Sequence, residues 1–526
     1  MYRPSRSEYF MRNLFLLYII VILTGCASVK KAPSAKAPLT YRYSVDLNSY
    51  QNDQLSVQLK INGLNKDTVE FCFPKIIPGI YSFANYGKSV AEINFEDTNG
   101  KPLNSKKLDD NCWEIYGAKQ LSKIIYKVND NWEEFGGGPW TGEYYMTESS
   151  FSDQRFVMNH NTLFGYFKNM EKNPYEVEVA KPANLYGATS LTASRAVKKD
   201  VFSAKSFNEL IDNPILYAVP DTTTIVLPNI SVQVACYSND GKTMSKELAG
   251  FIKPLLINQT IYLNGKLPVS KYTFIIYRNN RNDAKGISAQ GLEHANSTLI
   301  LMYAPYDLAK LKESVYGIAS HEFFHILMPL GIHSYEIADY NFNGPKFSKH
   351  LWLYEGMTEY FTIHMPIKNK LITLDDFAKV LSDKYKNMQQ YDKSISMVDL
   401  SLNSMKMEAQ YLNVYQKGPL LNMCLDIRLR ELSNGKFGAQ DLVFALLNKY
   451  GPNKAFKDDE LFDEIIAICG HPEIRDFFDR YVIGHEELPL AESLQKVGME
   501  INKGTVTVSK SPTAQQMSLR KSWIDQ

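Results

Sequence analysis

The sequence predicts an α+β chain: an N-terminal antiparallel β-domain, followed by a second domain whose later half is helical. Three observations predict it. From residue 41 to about 213 apolar residues recur with a period of two, in short runs separated by Gly, Asn, Asp and Pro. From about 214 strand-like runs flank one amphipathic stretch. From 311 to about 482 the apolar spacing is mostly helical. At 526 residues the chain is long enough for more than one domain. We read 39–213 as the β-domain, 214–485 as the second domain and 486–526 as a short tail.

At the N-terminus, Arg12 and Asn13 precede an apolar run over 14–23. It is short for a membrane span and has the length of a signal-peptide core. The run ends in Leu23-Thr24-Gly25-Cys26, which looks like a bacterial lipobox, with Met11 as its start. In such signals the cysteine is lipidated and becomes the first mature residue. Residues 1–26 are then a lipoprotein signal peptide and 27–38 a small-residue, lysine-bearing tether. Ala27 and Ser28 carry no acidic retention signal, which favours an outer-membrane anchor facing the periplasm. Of six cysteines, Cys72, Cys112, Cys236, Cys424 and Cys469 remain, scattered and without a CxxC pair. Their odd number leaves at least one unpaired, and a Cys72–Cys112 disulfide stays open. A formal charge of +1 gives no basic surface of the kind nucleic acid requires.

In the β-domain, residues 55–61 alternate cleanly, and 69–73, 90–95 and 124–128 read as further strands with one wet face. Pro78-Gly79-Ile80-Tyr81, followed by Asn85-Tyr86, reads as a tight turn without chemistry. In the second domain, strands at 223–227, 230–237 and 272–277 surround a helix near 242–258. Then Gln290-Gly291-Leu292-Glu293-His294 leads into the apolar run 298–302. A charged pair entering such a strand is unusual unless it faces a cleft. Helices are expected at 374–388, 413–432, 441–449, 459–469 and 473–482. Pro419 is tolerable only in the first turn of its helix.

The chemistry concentrates in His321-Glu322-Phe323-Phe324-His325. On a helix expected over 311–327 and stopped by Pro329, residues i and i+4 point the same way, so both imidazoles can reach one metal ion. Glu322 lies within reach of a water there and suits a general base. Some thirty residues on, the apolar stretch 351–360 carries Glu355 and Glu359 at i and i+4. Buried carboxylates need a partner or a metal. Glu355 is the natural third zinc ligand. Glu359 is placed to accept the remaining ring N–H of a ligating histidine. With three ligands named, His333, His350 and His364 read as surface or supporting residues.

These blocks resemble the glycyl-aminopeptidase family of gluzincin metallopeptidases, related to the alanyl-aminopeptidase and leukotriene-hydrolase group. The resemblance rests on the HExxH with its two phenylalanines, on Leu351-Trp352 before Glu355-Gly356, on Gly291-Leu292-Glu293-His294 and on Tyr415-Gln416-Lys417-Gly418. It covers about 40–490 and implies a thermolysin-like catalytic domain with one zinc. It further implies that Glu293 binds the free α-amine of a peptide substrate, that backbone at Gly291 and Leu292 lines the cleft, and that the Tyr415 hydroxyl holds the oxyanion. The implied activity is removal of N-terminal residues, small ones such as Gly or Ala by the family name. A zinc endopeptidase, an epoxide-hydrolase-like enzyme and a non-catalytic binding lipoprotein stay open beside it. The chain departs from the family at Gln290, where relatives have Gly, and at Leu327 and Met328, where many have Trp and Asn, which touches the expected pocket shape. Residues 498–526 are too short for the PDZ-like module common in relatives and read as a polar, mobile tail.

Overall fold

A computed structural model describes residues 39–132, 146–280, 289–302 and 307–525. The expected leader, Cys26 and the tether lie outside the described residues.

Three sheets make up the first half. The largest has seven strands in the order Thr192–Ala196, Lys199–Ala204, Tyr175–Ala180, Tyr41–Asp46, Gln54–Lys60, Leu121–Asn129 and Val90–Asp97. Tyr41–Asp46 shows why the period is two: Tyr41, Tyr43 and Val45 are buried, while Arg42 and Asp46 face water. One pair departs from the antiparallel expectation, because Tyr41–Asp46 runs parallel to Tyr175–Ala180. Alternation reports which face is wet and is blind to the direction of a neighbouring strand. In a second sheet Cys72 lies directly opposite Cys112, and the two form a disulfide. Cys236, Cys424 and Cys469 are free thiols.

The second half opens on a five-stranded sheet in the order Thr222–Leu227, Ile230–Ser238, Lys271–Arg278, Ser297–Met302 and Ala289–His294. The three middle strands are parallel and Ala289–His294 is an antiparallel edge. Ser245–Tyr262 packs on this sheet, and helices follow. Leu374–Met388 begins with a capping box between Thr373 and Asp376, a local signal that matches its expected bounds. The motif helix, Leu308–Phe324, starts at an Asp307 cap and stops before His325, earlier than expected. The stretch expected as one helix over 413–432 divides into a 3-10 turn, Leu412–Tyr415, and a helix, Lys417–Leu432, which places Pro419 in a first turn.

The C-terminal segment corrects the expectation of a mobile tail. It folds as a helix, Leu490–Lys496, a hairpin of Met499–Asn502 and Thr505–Val508, and a helix, Ala514–Ile524. Trp523 is fully buried, and its carbonyl accepts hydrogen bonds from Lys368 Nζ and His364 Nε2. A buried indole of this size removes a large apolar surface from water and so anchors the segment to the core.

The two halves interlock at the edge strand. Leu292 and Phe342, from the second half, are buried in the core of the first. The backbone N–H groups of Lys75 and Ile76 both donate to the Phe342 carbonyl. Gly79, at φ +88°, sits so close to the edge strand that a Cβ there would lie 2.7 Å from Leu292 Cδ1. Among the described residues no helix is long and apolar enough to cross a membrane.

Candidate active site

The site forms where the motif helix, the edge strand and the segment 351–368 converge. His321 and His325 share one side of the helix end, their Nε2 atoms 3.1 Å apart. Glu355 lies at the junction of Leu351–Tyr354 and Gly356–Lys368 and is only 4% exposed. Its Oε2 is 3.3 Å from His321 Nε2 and 3.5 Å from His325 Nε2. A tetrahedral zinc with bonds of about 2.0–2.1 Å has ligand atoms about 3.3–3.4 Å apart, so this triangle has the size zinc requires.

The surrounding hydrogen bonds select Nε2 as the ligand atom on both rings. His321 Nδ1–H donates to Glu359 Oε2 at 2.8 Å, and His325 Nδ1–H donates to the Met328 carbonyl at 2.9 Å. Glu359 is held in turn by Lys384 Nζ at 2.6 Å, and the same ammonium donates to the Tyr415 carbonyl at 2.8 Å. Lys384 thus ties the metal side to the tyrosine side, and it was not found from the sequence. Leu327 and Met328 are fully buried in the core, so these departures from the family pattern do not line the cleft.

Backbone proximity brings the separate blocks together. Gly356 and Gly418 meet: a Cβ on Gly418 would lie 2.7 Å from Gly356 Cα. This contact sets the segment bearing Tyr415 against Glu355, and the Tyr415 ring lies 5.6 Å from that of His321. Gly291 cradles the general-base candidate, because a Cβ there would meet Glu322 Oε1 at 2.6 Å. Gly291 and Leu292 therefore act by close backbone approach and by packing. Glu293 projects from the same strand into a group with Glu322 and His325, with ligand atoms within 4.8 Å of one another.

The turn at 78–81, to which the sequence assigned no chemistry, reaches this site. Gly79 packs against the Glu293 carboxylate, and the Tyr81 ring lies 4.9 Å from that of Tyr411. Tyr411 was also not found; its hydroxyl meets that of Tyr415 at 3.3 Å. His333, His350 and His364 are buried rather than on the surface and bond elsewhere, to the Pro329 carbonyl, the Asp458 carbonyl and the Tyr262 hydroxyl respectively.

The electrostatics call for a cation. Glu293, Glu322, Glu355 and Glu359 cluster around two imidazoles, with the Lys384 ammonium beside Glu359. Burial pushes Glu322 up to about 7, opposed by His321 and His325. Burial, then the Glu355 charge, pushes Glu293 up to about 8. Burial also acts on Glu359, but Lys384 and His321 outweigh it and hold that carboxylate down at about 2. Burial works against a charged His321, yet Glu355 and Glu359 hold its pKa well above the usual range. Burial and the Glu355 charge raise Tyr415 far above the ordinary phenol, keeping it a neutral donor. Two imidazoles and a carboxylate at tetrahedral spacing, within this excess of negative charge, fit zinc.

Comparison with known proteins identifies the family and the fold. The Peptidase M61 N-terminal domain matches residues 42–219, and the M61 glycyl aminopeptidase domain matches 314–421. No curated protein sequence matches. Among solved structures, an aminopeptidase N family protein from Idiomarina loihiensis superposes with a TM-score of 0.75 at 20% identity, over 88% of this chain and 79% of that one. An M1 zinc metallopeptidase variant from Deinococcus radiodurans, bound to a Tyr-Ser-Ala substrate, superposes with a TM-score of 0.53 at 12% identity, over 86% and 95% of the two chains. At these identities the superpositions establish the fold. The two matched domains lie in order and together span just over half of the chain, which therefore belongs to the M61 glycyl aminopeptidase family of peptidases.

Proposed function

We propose that the chain is a zinc-dependent aminopeptidase acting on peptides with a free N-terminus. The observation that carries this reading is Glu293, a half-buried carboxylate grouped with Glu322 and His325. An endopeptidase has no use for such a group. An exopeptidase must recognise a positive α-amine, and a partly desolvated carboxylate does so by a charge-assisted hydrogen bond. The incoming ammonium supplies a counter-charge to Glu293, which lies beside the Glu355 charge.

His321, His325 and Glu355 hold the metal, with Glu359 and Lys384 orienting His321. When bound, zinc supplies Lewis acidity toward a water and the scissile carbonyl. Glu322 takes the proton of the attacking water and returns it to the leaving amine, two roles that one positioned carboxylate can fill in turn. The Tyr415 hydroxyl donates to the oxyanion, with the Tyr411 hydroxyl beside it. The cavity next to Glu293 is walled by Gly79, Ile80, Tyr81, Tyr340 and Phe347, which supports a small apolar N-terminal residue such as Gly or Ala. The Leu-Thr-Gly-Cys ending of the apolar leader supports lipid attachment at Cys26 and a place in the bacterial cell envelope, at the periplasmic face of the outer membrane.

Metal analysis with a peptidase assay tests the reading. One zinc per chain, hydrolysis of free-amine peptides, loss of hydrolysis on chelation and recovery with zinc are expected. Full hydrolysis by metal-free protein would defeat it.

A further inference from the structure

We infer that a second binding site, for a free α-amino acid with an apolar side chain, lies behind the turn that carries Tyr415. The turn has two sides. On one, the Tyr411 and Tyr415 hydroxyls meet beside the metal ligands. On the other, Asn413 and Lys417 line a separate cavity of about 330 Å³. Neither Glu293, Glu322, Glu355 nor Tyr415 lines it. Its size falls within the range of small-molecule sites, roughly 300–1,000 Å³.

The cavity contains a charge without a partner. Lys417 is 7% exposed, and among the described residues its ammonium makes no hydrogen bond or ion pair. A buried ammonium is costly unless paired, and burial alone lowers the Lys417 pKa. Two more lining residues carry unsatisfied buried atoms: Asn413 Oδ1 and Gln389 Nε2. A cation suits a carboxylate.

The rest of the lining narrows the ligand. Met388, Tyr391 and Leu488 supply an apolar wall. The exposed mouth carries three carboxylates, Asp392, Glu486 and Glu487, against one lysine, Lys393, and His485. Acidic groups there disfavour phosphates and dicarboxylates and favour a ligand that carries its own ammonium. An apolar amino acid places its carboxylate on Lys417, its ammonium toward the mouth and its side chain on the wall. The α-carboxylate of a peptide C-terminus shares part of this chemistry but lacks the adjacent ammonium.

Calorimetric titration of the zinc-loaded full chain carrying Glu293→Gln tests the inference, because that change removes amine recognition in the cleft. Binding needs no turnover, so failure here is distinct from failure of the peptidase reading. L-leucine is expected to bind this variant, and leucinamide, which lacks the carboxylate, to bind at least about tenfold more weakly. N-acetyl-leucine, which lacks the ammonium, is expected to bind more weakly too. Adding Lys417→Met is expected to weaken leucine binding about tenfold or more, and Lys417→Arg to retain it. Should Lys417→Met not fold, the exposed pair Asp392→Asn and Glu487→Gln is expected to weaken leucine binding while leaving N-acetyl-leucine unaffected. Absence of leucine binding, or leucine affinity unchanged by Lys417→Met, overturns the assignment. Equal affinity for leucine and N-acetyl-leucine also overturns it, in favour of a peptide C-terminus.

Discussion

Replacing Glu359 by Ala probes how this chain would hold the proposed zinc. The carboxylate touches no ligand position itself; it accepts the His321 Nδ1–H at 2.8 Å and receives Lys384 Nζ at 2.6 Å. Its loss releases the ring from its tautomer and leaves Lys384, itself largely buried, with the Tyr415 carbonyl as its remaining partner. Outer partners of this kind are worth about 10–100-fold in metal affinity. That range corresponds to about 1.4–2.7 kcal/mol. Part of it is the stranded lysine, so Lys384→Met in the Glu359→Ala background should recover some of the loss. A double-mutant cycle isolates that share, since the two groups are in contact. The assay is competitive zinc titration against a chromogenic chelator. Zinc affinity within threefold of wild type in Glu359→Ala would refute the claim that this hydrogen bond fixes His321 as a ligand.

Three further outcomes follow from the same geometry. Glu322→Gln should retain one zinc by elemental analysis while kcat falls about 10²–10⁴-fold, and loss of metal would make Glu322 structural instead. Tyr415→Phe should lower kcat about 10²–10³-fold with zinc content unchanged, and a change confined to KM would remove it from the oxyanion. Cys26→Ala should leave the precursor unprocessed and without lipid in a labelling experiment, and normal maturation of that variant would end the lipoprotein reading.

The candidate metal ligands were legible because helical spacing is local: His321 and His325 lie one turn apart, and the apolar neighbours of Glu355 mark it as buried. Glu359 was legible for the same reason, one turn beyond Glu355. Lys384 was not, since its helix is polar by composition and its role exists only where that helix meets Glu359 and the Tyr415 turn. The 78–81 turn shows a similar limit. Gly79 announces a positive φ, but not that the turn packs on Glu293, far away in sequence. The tail is a different case. Thr513 and Gln516 form a capping box readable from sequence, and the lone Trp523 marks a buried face, yet the polar composition around them obscured both.

One ratio tests amine recognition by Glu293 most directly: kcat/KM for a short peptide with a free N-terminus over that for its N-acetylated form, measured in wild type and in Glu293→Ala. An amine–carboxylate contact in a closed cleft is worth about 2–5 kcal/mol, so wild type should favour the free amine roughly 30-fold to several-thousand-fold. Glu293→Ala should lose that preference by slowing cleavage of the free peptide, with little change on the blocked one. Equal cleavage of both peptides by wild type would contradict the aminopeptidase reading and leave an endopeptidase in its place.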